Sequence, residues 1–121
     1  NLLHPDAFTR VSLPDAKSRH LLQPGDLLFR SRGKSNGAAL VRGGIGAAVL
    51  AAPMLLIRPH SIDPEYLCWF INTDSTQAQL TTMSEGTAVR MISAEALRRL
   101  AIPSPPLAVQ KQIVQIAFLA D

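Results

Sequence analysis

Residues 21–44 read LLQPGDLLFRSRGKSNGAALVRGG, and the fold turns on how this run is punctuated. Pro24-Gly25-Asp26 is a turn signal. After it, Leu27 and Phe29 alternate with Leu28, Arg30 and Arg32 in the two-residue period of a half-buried strand. A strand continued to Lys34 would carry Arg30, Arg32 and Lys34 on one face. Ser35 and Asn36 are turn formers, and GAALV (37–41) reads as the next strand. RGGIGAA (42–48) is expected to be a mobile loop or a bulged connection, followed by a further strand in APMLLIRP (52–59).

The chain turns helical downstream. Asp63-Pro64-Glu65 supplies a cap, a first-turn proline and an acid, and predicts a helix running on through YLCWFINT. Asp74, with Gln77 three residues on, resembles a capping box that opens a second helix to about Met83, ended by Glu85-Gly86-Thr87. VRMI predicts a short strand, Ser93 caps AEALRRL, LAIP extends, and Pro105-Pro106 opens a last helix, LAVQKQIVQIAFLAD. That helix carries Val109, Ile113, Ile116 and Ala120 as a seam, widened by Val114, Phe118 and Leu119, and a helix so apolar calls for a partner or a continuation.

At 121 residues, 47% hydrophobic and 17% charged, the chain fits one folded domain. No apolar run nears the roughly 20 residues of a membrane span, and no basic-then-apolar leader opens the sequence. The expected compartment is the cytoplasm. One cysteine, Cys68, excludes an internal disulfide. The net charge of +3 decides nothing, but its placement is informative: no acid lies between Asp26 and Asp63, while Arg30, Arg32, Lys34, Arg42 and Arg58 do. Those cations are either a solvated face with acidic partners elsewhere in the fold or a surface for an anionic ligand.

Catalytic readings fail on spacing. A phosphate-binding loop needs glycine five residues before the Gly of Gly33-Lys34-Ser35, and Leu28 stands there. Gly33-Lys34-Ser35-Asn36-Gly37 has the form of a nucleophile elbow. Such an elbow needs an acid and then a histidine downstream, and no acid lies between Ser35 and His60, the last of the three histidines. One cysteine and three scattered histidines offer no metal-ligand pair, and no glycine-rich cofactor loop or Asn-Pro-Pro-aromatic motif is present. No catalytic residue, metal or cofactor is expected. What remains is a cationic turn whose Arg, Lys, Ser and Asn can meet phosphates and base edges of DNA. Tyr66, Trp69 and Phe70 sit among apolar neighbours and read as core rather than as a stacking platform for single strands.

Three pieces in register resemble the target-recognition domain of the specificity subunit of type I restriction-modification systems. They are HLLQPGDLLFRSRG (20–33), IDPEYLCWFINTDSTQAQL (62–80) and EGTAVRMISAEALRRLAIPSPPLAVQKQIV (85–114), and the likeness spans roughly 20 to 118. The first matches the family's Leu-x-x-Gly-Asp-Ile/Leu-Leu turn and strand, and the last its Ile-Pro-x-Pro-Pro-x-x-x-Gln-x-x-Ile. The resemblance implies an α+β fold: a single recognition domain with a mixed or antiparallel sheet and short helices over 1–104, then the start of a long spacer helix over 105–121. It implies a reader of double-stranded DNA that takes one half of a bipartite target, with methylation and restriction subunits supplying the chemistry. Arg30, Arg32, Lys34, Ser35, Asn36, Arg42, Thr87 and Arg90 are then the candidate DNA contacts. Val109, Ile113, Ile116 and Ala120 become the candidate interface to a partner helix, a second recognition domain or a second copy. Only one recognition domain is present and the segment that normally opens it is not, so the chain reads as a fragment or a reduced relative. The other reading is an interaction scaffold that keeps this fold and associates through its last helix without reading DNA.

Overall fold

The computed structural model describes residues 8–10, 13, 21–33, 36–42, 46–47, 54–84 and 90–119. Its elements, in chain order, are β1 (Phe8–Arg10), β2 (Leu21–Leu22), β3 (Leu27–Arg30), β4 (Arg32–Gly33), β5 (Ala38–Leu40), β6 (Gly46–Ala47), β7 (Met54–Ile57), α1 (Pro64–Ile71), α2 (Asp74–Met83), β8 (Arg90–Met91), α3 (Ala94–Arg98), β9 (Ala101–Pro103) and α4 (Leu107–Leu119). This is an α+β domain in which every strand pair is antiparallel: β5-β3-β7 form one sheet, and β1-β9, β2-β6 and β4-β8 form two-stranded ladders.

The opening turn works through its glycine and its acid. Gly25 sits at φ +94°, a conformation that a side chain would strain. Asp26 follows, buried, accepting Gln23 N–H at 2.8 Å and both Arg58 Nε and Nη2 at 2.9 Å. Thus one of the five cations in the acid-free stretch is structural: Arg58 pins the end of β7 to the turn before β3. Its guanidinium is held charged still more firmly than usual, first by that hydrogen bond.

Strand β3 is central, with Leu27 and Phe29 fully buried and Arg30 exposed. Onto them pack Ile57, Tyr66, Leu67, Ile71, Leu80 and, from the later elements, Ile92, Leu97, Leu100, Ile102 and Val114. Each large apolar side chain buried there contributes about 1.5–3 kcal/mol. Helix α1 begins as the sequence predicts, with Asp63 capping Tyr66 N–H. Helix α2 is capped one residue earlier than predicted, by Thr73, whose Oγ1 accepts Thr76 N–H. Gln77 takes no part in a capping box because its amide is spent on Ile71 O and Asn36 O. Ser93 caps α3 as expected. The RGGIGAA segment contributes a strand, Gly46–Ala47 pairing with Leu21–Leu22.

Helix α4 divides its apolar residues instead of presenting them as one seam. Val114 is buried in the domain's own core and Ile113 packs against it, whereas Ile116 is 65% exposed and Leu107 also faces solvent. The partner-helix seam expected from Val109, Ile113, Ile116 and Ala120 is therefore narrowed, since Ile113 is partly engaged at home. Ala120 lies outside the described residues.

Candidate nucleic-acid interface

The turn leaving β3 is closed by a set of side-chain amides. Arg30 N–H donates to Gly37 O at 3.0 Å, and Asn36 Nδ2 donates to Arg30 O at 3.0 Å. Gln77 Nε2 holds Asn36 O at 2.9 Å. On the far side, Asn72 behaves as an extra strand residue: its Oδ1 accepts Ala38 N–H at 2.8 Å and its Nδ2 donates to Ala38 O at 2.9 Å. The Asn36–Ala38 leg is thereby anchored to the α1–α2 junction, and the Arg30 leg is tied to it through Asn36 and Gly37. Asn36, a candidate for base contact, is 1% exposed and committed to this brace, so it supports the turn and has no free face for a ligand. Lys34 and Ser35 lie outside the described residues.

The strand does not continue unbroken past Arg30; it is interrupted at Ser31. There the chain leaves the β5-β3-β7 sheet, Ser31 O accepts Ile92 N–H at 2.7 Å, and β4 pairs with β8 in a new ladder. Its register sets Arg32 opposite Met91 and Gly33 opposite Arg90. Residues almost sixty positions apart in sequence thus join, and the backbones of Arg30, Arg32 and Arg90 converge on one edge. Thr87 lies outside the described residues.

Arg42 is elsewhere. The β3–β5 register pairs Leu27 with Leu40 and Phe29 with Ala38, which carries Arg42 past the opposite end of the ladder from Arg30. About five strand residues at 3.3 Å each put roughly 17 Å between the two positions. Arg42 lines a hollow of about 370 Å³ with Leu40, Glu65, Cys68 and Trp69. Burial pushes the Cys68 thiol up from its ordinary range, partly countered by the Arg42 charge. Trp69 also departs from expectation: Tyr66 is buried, but Trp69 is 37% exposed at this hollow. The apolar run YLCWFI marks a helix facing a core, yet its period turns Trp69 outward.

The fold is thus a small α+β domain in which an amide-braced turn after β3 lies next to the β4–β8 ladder. The model of the type I restriction modification DNA specificity domain family matches residues 10–118, and the chain belongs to that family. Among curated proteins none matches the chain. DNA sequence recognition within type I restriction-modification systems is the function this membership assigns. No helix among the described residues is long and apolar enough to cross a membrane.

Proposed function

We propose that the chain reads one half of a bipartite duplex target as the specificity module of a type I restriction-modification complex, with no catalysis of its own. The observation that supports this best is the convergence of Arg30, Arg32 and Arg90 at one edge beside an amide-braced turn, in a chain of the DNA specificity family. Guanidinium groups neutralise phosphates and release counterions, which supplies affinity, and they also hydrogen-bond guanine edges, which supplies sequence preference. A turn with both legs pinned presents such groups with little ordering left to do on binding. Lys34, Ser35 and Thr87 belong to the same proposed surface, and Arg42 does not. In this reading residues 1–104 are the reading head and 105–121 begin the spacer helix. Methylation and restriction subunits supply the chemistry.

Selection from random-sequence duplexes, with the chain alone and with its methylation subunits, tests the proposal. The expected result is one short motif, bound weakly by the chain alone and on the order of a hundredfold more tightly when a second reading head is linked to it. Binding without any enriched motif would overturn it. The exposed Ile116 and Leu107 favour α4 as an association face. A scaffold that associates only through this face would show no salt-dependent binding to duplex DNA.

A further inference from the structure

Gln110 lies in the first turns of α4 and is 1% exposed, while its neighbours Lys111 and Gln112 face solvent. Both ends of its amide are occupied. Oε1 accepts Asp63 N–H at 2.8 Å, and Nε2 donates to Pro105 O at 2.7 Å. Asp63 is the residue that caps α1, and Pro105 lies in the link between β9 and α4, so one side chain ties together the start of α1, the β9–α4 link and α4 itself. The link needs such a tie. Pro105 and Pro106 have no N–H, so neither offers a backbone donor to hold the link. A second bond runs in parallel: Tyr66 Oη donates to Pro103 O at 2.7 Å. The Lys111–Asp63 ion pair, 3.9 Å long and mostly exposed on the lysine, adds little.

We infer that Gln110 is a positioning residue: its amide sets the direction in which α4 leaves the recognition domain. Gln110 and, one turn on, Val114 seat the start of α4 on the domain, and a change of about 10° in that seat moves a point roughly 20 Å along the axis by about 3 Å. That displacement is about one base-pair step of duplex, roughly 3.4 Å. Gln110 thereby governs the separation at which a second recognition domain carried on this helix meets DNA; this consequence rests on the half-site reading above.

The direct test needs no DNA. Spin labels at the exposed positions 79 and 115, in a Cys68→Ser background diluted with unlabelled chain, report the distance between α2 and α4. A single narrow distance peak is expected. Gln110→Met keeps the side chain's length and loses both hydrogen bonds, and it should replace that peak with a broad or split distribution at a temperature where the chain remains folded. Leu97→Ala, a core truncation away from the joint, should lower the melting temperature and leave the peak narrow. A narrow peak in Gln110→Met, or equal broadening in Leu97→Ala, would overturn the inference. In the complex assembled with methylation subunits, Gln110→Met should select the same half-site bases at a loosened spacing, and an unchanged single spacing counts against it. An unsubstituted complex that selects no motif refutes the half-site reading instead, and the distance measurement still decides the role of Gln110.

Discussion

The β3–β5 ladder has an exposed arginine at each end, and the two ends are built differently. At the Arg30 end the backbone is held by Asn36, Asn72 and Gln77, and a second ladder delivers Arg32 and Arg90. At the Arg42 end an indole, a thiol and a carboxylate surround an apolar hollow. A count of positive charges along 27–58 treats these arginines alike. Strand register places one at the end joined by the β4–β8 ladder and the other at the hollow, and Asp26 engages Arg58 away from both. Whether a cation is available therefore depends on its partner and its place in the ladder more than on its density in the sequence.

The largest effect should come from the strut between the two ends. Asp26→Ala removes the carboxylate that accepts Arg58 Nε, Arg58 Nη2 and Gln23 N–H, at a cost of about 3 kcal/mol read from the urea midpoint. Adding Arg58→Met should recover much of it. A loss below that of an ordinary surface substitution would show that both ends stand without the strut.

Next is the brace on the Arg30 side. Asn36→Ala strips Arg30 O of its donor and should cost about 2 kcal/mol by chemical denaturation. It should weaken DNA binding through the turn's geometry, while the same measurements on Arg42→Ala stay near the unsubstituted values. If Asn36→Ala instead binds DNA as well as before, the turn is not part of the reading surface.

The third comparison is electrostatic. Arg30→Ala should change stability by no more than about 0.5 kcal/mol. It should lower the slope of log affinity against log salt by about 0.9, as one lost phosphate contact does. Arg42→Ala should leave that slope unchanged. Equal slopes for both variants would merge the two ends into one surface and refute the division drawn from the register.

The smallest effect belongs to Cys68. Its raised pKa keeps the thiol protonated near neutrality, so alkylation should be slow at pH 7 and accelerate only above the usual thiol range. Because the Arg42 charge lowers that pKa, Arg42→Ala should shift the alkylation profile to still higher pH. A shift the other way would mean that Arg42 acts on the hollow by packing.

Local signals were legible in the sequence. Asp63-Pro64, Ser93 and Pro24-Gly25-Asp26 declare their turns and caps within four residues, because the hydrogen bonds they make are that short in sequence. The α2 cap slipped to Thr73 since Gln77, which fits a capping box, is drawn away by Asn36 from another part of the chain. The same blindness to distance concealed the break at Ser31 and the approach of Arg90 to Gly33, which depend on pairing across almost sixty residues. Gln110 stands in the sequence as the glutamine of the Ile-Pro-x-Pro-Pro-x-x-x-Gln-x-x-Ile pattern, which gives it no structural task. Only the position of Asp63 reveals why it faces inward.

Strand β1 has its only ladder partner among the described residues in β9, with Thr9 opposite Ile102. Between them lies nearly all the rest of the domain. Closing so long a loop costs entropy that no nearby contact offsets beforehand, so this ladder should zip after the β5-β3-β7 sheet and α1 have formed. During synthesis β1 emerges from the ribosome long before β9 exists and must wait with its backbone donors in water. In pulse-labelled hydrogen exchange the Thr9 amide should gain protection later than that of Leu28, so that a strand synthesised before β3 joins the fold after it.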